Sequence, residues 1–146
     1  MEHHLVLRVV AKVLIPPIIL YGLYVQFHGE YGPGGGFQAG VIIAAAFILY
    51  GLIFGLNDLC RAIPLSALRA SLAIGALIFI GTGFVTLALG GRFLDYAVLY
   101  EHDFKEAQVI GIIVVELGVG IAVAAAISSI YIAFAGRTPA IRDEDW

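Results

Sequence analysis

Polar and apolar positions in this chain fall into long blocks, not into the alternation of a half-buried strand or the stripe of a surface helix. Four apolar runs of 20 to 26 residues, at about 5–27, 37–56, 66–89 and 109–134, are separated by shorter polar stretches. Each run is long enough to cross about 30 Å of hydrocarbon at about 1.5 Å of helix rise per residue. The pattern predicts an all-α membrane protein with four transmembrane helices in a single domain over residues 1–146. The connections fall at 28–36, 57–65 and 90–108, and a tail begins at 135. The first run is longer than a signal-peptide core and is followed by His28, Gly29 and Glu30, not by a small-x-small cleavage pattern, so it is expected to be a retained span.

Composition sharpens this picture. The chain is 61% hydrophobic and 13% charged, against about 25% charged in soluble domains. A net charge of −3 gives no support for nucleic-acid binding, and Cys60, the single cysteine, allows no internal disulfide. No CxxC pair, His/Cys cluster, phosphate loop or Ser/His/Asp set is present, so no metal, cofactor or catalytic site is expected and the chain does not read as an enzyme.

The basic residues set an orientation. Arg8, Lys12, Arg61, Arg69, Arg137 and Arg142 fall on one side of the four spans, and Arg92 and Lys105 on the other. By the positive-inside rule both termini are cytoplasmic, and the connections at 28–36 and 90–108 face outward. The expected location is the cell (inner) membrane, with the lipid bilayer as solvent.

The most distinctive stretch is His28-Gly-Glu-Tyr-Gly-Pro-Gly-Gly-Gly-Phe-Gln-Ala-Gly40, between the first two spans. Pro33 is rigid, while Gly34, Gly35 and Gly36 have almost unrestricted backbone angles. Together they predict a tight re-entry turn feeding the N-terminus of the second helix, with bare glycines that admit close backbone approach. Small residues recur at helix-packing spacing elsewhere: Gly51 and Gly55, Gly40 and Ala44, and in the last span Gly118, Ala122 and Ala126 beside Gly120, Ala124 and Ser128. Such stripes serve close helix contact, within the chain or onto other subunits.

Few residues inside the spans carry chemistry. Pro16 and Pro17 remove the N–H partners of the Lys12 and Val13 carbonyls, so a helix kink is expected there. Freed carbonyls in broken helices are one way transporters hold cations. Lys12 lies about 10 Å into the first span, where it either snorkels to the headgroups or faces inward to pair with a neighbour's carboxylate. Glu116 is the one acid flanked on both sides by apolar span. It is a candidate cation ligand or proton-relay group, or else a structural hydrogen-bonding group between helices. From the expected span it lies about 10 Å below the outer face, offset in depth from Lys12, so no direct pair with Lys12 is expected. His28, Glu30 and Tyr31, with Asp95, Glu101, His102, Asp103 and Glu106, are expected to form an acidic outer rim or simply a solvated loop. Thr82, Thr86, Ser128 and Ser129 are expected to bond their own helix carbonyls.

Tyr24-Val-Gln-Phe-His-Gly29 followed by Pro33-Gly-Gly-Gly-Phe-Gln-Ala-Gly40 resembles the signature of the MnhB/MrpB family, and Glu116-Leu-Gly-Val119 resembles that family's last helix. Members are small membrane subunits of Mrp-type multisubunit sodium/proton antiporters; related subunits occur in membrane-bound hydrogenases. In many members a second histidine follows the His-Gly pair, a position held here by Glu30. The resemblance implies four spans and an accessory role beside larger antiporter-like subunits. It also implies a path for sodium or another monovalent cation and protons, to which Glu116, Lys12, His28 and Glu30 are the candidates. It gives Pro33, Gly34, Gly35, Gly36 and Phe37 the role of the PGGGF motif. The sequence also admits the equivalent subunit of a hydrogenase-type respiratory complex, and a structural membrane adaptor without an ion path.

Overall fold

The computed structural model describes residues 3–29, 33–100 and 104–137. Five α-helices carry the chain: α1 (His3–Phe27), α2 (Gly36–Phe54), α3 (Leu56–Ala62), α4 (Leu65–Ala88) and α5 (Phe104–Ala135), with one 3-10 turn at Tyr96–Leu99. Four of them, all but α3, are long and apolar enough to cross a membrane. α1 continues as helix through Pro16 and Pro17. α2 starts after Gly35, whose φ of 126° is a conformation that favours glycine, and stops at Gly55, whose φ is 99°.

Helix ends differ from the hydropathy pattern in three places. The second apolar run ends at Phe54 because Gly55 breaks it, and the connection expected at 57–65 is largely the short helix α3. α5 begins at Phe104, earlier than the apolar run that starts at Val109. Lys105, Glu106, Ala107 and Gln108 are good helix formers that hydropathy alone excludes.

The long helices stand in a row. α2 packs against α1 on one side and α5 on the other, α5 packs against α4, and α1 touches α5 only marginally. A single layer leaves both broad faces uncovered. The buried apolar residues are mostly alanines, among them Ala39, Ala44, Ala46, Ala124 and Ala125, while large residues such as Leu20, Leu52, Leu77 and Phe134 point outward. That inversion suits a lipid or subunit-lined surround, where close van der Waals contact between small residues holds helices together.

Glycines set the register of the row. A Cβ built on Gly36 would overlap the Glu116 carbonyl oxygen, one on Gly40 would lie 2.7 Å from the Gly120 carbonyl, and one on Gly51 would lie 2.8 Å from the Tyr131 ring. On the other side of α5, a Cβ on Gly75 would lie 2.7 Å from the Ala122 nitrogen, and one on Gly118 would lie 2.8 Å from the Gly75 carbonyl. Both small-residue stripes of α5 are therefore used inside the chain, one toward α4 and one toward α2. The expected Gly51–Gly55 pair does not act as a unit: Gly55 terminates α2, and nothing lies within 4 Å of a Cβ placed on it.

This register corrects one expectation. Twelve residues separate Phe104 from Glu116, so the start of α5 extends about 18 Å beyond the level of Glu116. Gly36 shares the level of Glu116. Gly29 and Gly35, the described ends of the turn beside Glu116, thus lie about 18 Å along α5 from its start and not level with the α4–α5 connection. The sequence fixes no register between helices, which is why the two connections looked level.

Candidate ion-path site around Glu116

The site begins with the end of α1. The Val25 carbonyl accepts from the N–H groups of His28 at 3.3 Å and Gly35 at 3.2 Å, drawing the two ends of the turn together. A Cβ on Gly34 would lie 2.8 Å from that same oxygen. The glycine run is therefore needed at Gly34 for space and at Gly35 for backbone conformation as well.

Into this turn projects Glu116 from the middle of α5. A Cβ on Gly29 would lie 2.9 Å from Oε2, and a Cβ on Gly35 would lie 3.0 Å from Oε1. The carboxylate lies between the last turn of α1 and the first residue before α2. Any side chain at either glycine would displace it. The first N–H groups of α2 have no intrahelical acceptors, so this is the positive end of a helix dipole, which stabilises negative charge by about 0.3–1 kcal/mol and up to about 2 kcal/mol when partly buried.

Two amides share this level. Gln26 is 7% exposed, and its Oε1 sits where a Cβ of Gly120 would be. Gln38, in the first turn of α2, is exposed and lines a recess of ≈ 310 Å³ together with Gly34, Gly35, Gly36, Phe37, Glu116 and Val119. His28 is half-buried and stacks on Tyr24, ring centroids 4.9 Å apart, and Tyr24 in turn lies 6.3 Å from Tyr21. Gln26 and Gln38 were not singled out from sequence. Their signal was available: each is a lone polar residue inside an otherwise apolar helical run.

The other candidates fall elsewhere. Lys12 is exposed, with Nζ 5.8 Å from the Phe54 ring centroid, and Arg8 lies 5.7 Å from the same ring. Phe54 ends α2 and Gly36 starts it, so Lys12 and Glu116 are separated by about 27 Å of helix. Phe37 of the PGGGF motif points outward at 62% exposure, and Pro33 is exposed. Glu30 and Tyr31, with Glu101, His102 and Asp103, lie outside the described residues. Among the described residues no group of three His, Cys, Asp or Glu side chains is arranged to hold a metal ion.

Of the residues expected at an outer rim or in a solvated loop, His28, Asp95 and Glu106 are described. Asp95 accepts from the Ala97 N–H at 3.4 Å and caps the 3-10 turn, and Glu106 is in the first turn of α5, about 15 Å along the helix from Glu116. The α4–α5 connection is folded onto its own hairpin. Buried Thr86 donates to the Gly83 carbonyl at 2.9 Å and accepts from the Leu94 N–H at 3.0 Å, holding Leu94 at a φ of 61°. The Phe93 ring covers Gly83, and Tyr96 covers Gly111. Thr82, Ser128 and Ser129 donate to the carbonyls of Ile78, Ala124 and Ala125 on their own helices.

Residues 6–136 match a family model described as a domain related to the MnhB subunit of Na+/H+ antiporter. A Staphylococcus haemolyticus protein named as antiporter subunit mnhB2 is 34% identical over 137 residues, covering 92% of this chain and 96% of that protein. A Staphylococcus aureus (strain Newman) protein of the same name is 31% identical over 140 residues, with the same two coverages. A Staphylococcus epidermidis counterpart is 37% identical over 93 residues, or 64% of this chain and 65% of its own.

Proposed function

The chain belongs to the MnhB family of antiporter subunits, and we propose that it is an accessory membrane subunit that supplies Glu116 to the cation and proton path of a multisubunit sodium/proton antiporter. The observation that carries this role is the placement of the carboxylate. It is an acid inside a membrane helix, held at the positive end of α2 by glycines that leave it room. A carboxylate in that setting exchanges a proton or a monovalent cation without rebuilding the helices around it. His28, Glu30 and Lys12 are assigned supporting parts, with His28 at the end of α1 and Lys12 about 27 Å of helix away from Glu116. The remaining surface of the helix row, rich in exposed large apolar residues, anchors neighbouring subunits and lipid. Both termini are cytoplasmic in the cell (inner) membrane, on the distribution of basic residues.

The test uses two variants of the intact complex. Glu116→Gln keeps shape and hydrogen bonding but carries no charge, so the complex assembles and loses most of its sodium-driven proton movement. Glu116→Leu impairs assembly as well. A structural adaptor behaves differently: Glu116→Gln transports like the parent, and only Glu116→Leu fails. Full transport in both variants removes Glu116 from the mechanism.

A further inference from the structure

Arg8 and Lys12 lie one helical turn apart on α1, and both side chains are exposed. A Cβ on Gly22 would lie 2.9 Å from Ile43 Cγ1, which sets the register of α1 against α2. Ten residues back along α1, about 15 Å, is Lys12; eleven residues on along α2, about 17 Å, is Phe54. The Arg8 guanidinium and the Lys12 ammonium accordingly stand 5.7 Å and 5.8 Å from the centroid of the Phe54 ring. Tyr50 braces that ring, with centroids 4.7 Å apart. Ala11, between the two cations, is buried, so both flank the seam where α1 meets α2.

Two like charges one turn apart repel. The ring face attracts each cation but supplies no counter-charge. Asp58, four residues beyond Phe54, is held by Arg61 at 3.8 Å, and neither Arg8 nor Lys12 has a carboxylate partner among the described residues. Asp58 and Arg61 also mark a boundary. Gly55 breaks α2 directly after Phe54, and α3 then exposes both charged side chains, Asp58 by 47% and Arg61 by 84%. Charges so exposed belong among headgroups and water, not in hydrocarbon. The end of α2, with the two cations over Phe54, therefore stands at the membrane–water boundary. From Lys12 into the span, the same side of α1 turns apolar: Val13, Pro16 and Leu20 are all exposed. α1 ends the row and packs on α2, so little else in the chain covers this strip.

We propose that Arg8 and Lys12 form, beside Phe54, a seat for the phosphate of an anionic phospholipid, one of whose acyl chains lies along Val13, Pro16 and Leu20. A phosphodiester offers two free oxygens, which a guanidinium fork and a neighbouring ammonium can share. The occupant follows from the continuity of a cationic end with an exposed apolar strip. A phospholipid covers the first with its headgroup and the second with its own acyl chain, whereas a carboxylate from a neighbouring protein covers only the charges. The seat is independent of the part given to Glu116, from which about 27 Å of helix separates Lys12.

Photo-crosslinking in the assembled complex tests the seat without requiring transport. The complex is reconstituted into phosphatidylcholine vesicles containing a trace of phosphatidylglycerol, or of phosphatidylcholine, with the same diazirine-bearing acyl chain. Cross-linked peptides are read by mass spectrometry. Each cation contributes about fivefold to binding an anionic headgroup, the equivalent of about 1 kcal/mol. The phosphatidylglycerol probe therefore labels the stretch from Val13 to Leu20 more than about tenfold over the phosphatidylcholine probe. Arg8→Gln and Lys12→Gln each lower that preference about fivefold, and Arg69→Gln, on α4 at the other edge of the row, leaves it unchanged. Excess inorganic phosphate does not remove it; loss of the preference in phosphate means a site for the free anion and overturns the lipid. Equal labelling by the two probes overturns the seat, and if the glutamine variants then also lower the yield of complex, the counter-charge is a protein carboxylate. A preference that survives both substitutions overturns it equally. Should a glutamine variant fail to assemble, the position of the label in the parent decides: cross-links at Val13 to Leu20 support the seat, and cross-links confined to other helices overturn it.

Discussion

Gly36 meets Glu116 main chain to main chain, so closely that a methyl group on the glycine would overlap the acid's carbonyl oxygen. The contact sets the register of α2 on α5, and the same α5 residue sends its carboxylate into the turn that precedes α2. Packing and candidate chemistry are thus fixed by one pair of residues.

Replacing Gly36 by alanine therefore forces α2 and α5 apart. The expected cost is about 1–3 kcal/mol, the range for overpacking a tight interface, seen as a lower melting temperature and lower yield of the detergent-solubilised complex. Gly81→Ala is the matched control, because nothing lies within 4 Å of a Cβ there, and it leaves both quantities unchanged or slightly raised. Equal effects at the two positions refute the register.

Gly35 carries a different demand. Its φ of 126° and the Glu116 Oε1 at 3.0 Å from a Cβ position both exclude a branched side chain. Gly35→Val is expected to abolish assembly or transport. A fully active valine variant means that the turn is a loose linker.

Thr86 is the pin of the α4–α5 connection. Thr86→Val keeps the shape of the side chain but leaves the Leu94 N–H without its acceptor. The expected loss is about 1–3 kcal/mol, the cost of an unsatisfied buried donor. It is read as faster amide exchange at Leu94 and in the 3-10 turn that follows. Unchanged exchange there shows that Phe93 and Tyr96 hold the connection without the hydroxyl.

The isolated chain is expected to be silent. Among the described residues, Glu116 and Lys12, about 27 Å of helix apart, are too few for a relay across about 30 Å. Purified alone and reconstituted into vesicles, it shows no sodium-dependent proton movement. Antiport by the lone subunit overturns the accessory role.

Orientation is checked by a reagent that does not cross membranes. Cys60 is expected to stay unlabelled from outside intact cells, while Arg92→Cys in a Cys60→Ser background is labelled. The reverse pattern places the termini outside.

The blocks of apolar residues determined four of the five helices, because a segment of 20 or so apolar residues has few options other than a membrane helix. The family was legible in the residues around Pro33–Phe37, and Glu116 stood out because an acid in an apolar run is costly. Those signals are local in sequence. The α5 start at Phe104, the use of both small-residue stripes inside the chain and the partnership of Glu116 with Gly29, Gly35 and Gly36 were decided only by tertiary structure. A helix's length is written in its own residues, but how far it slides along its neighbour is set by which glycine meets which carbonyl, a contact between segments about 80 residues apart for Gly36 and Glu116.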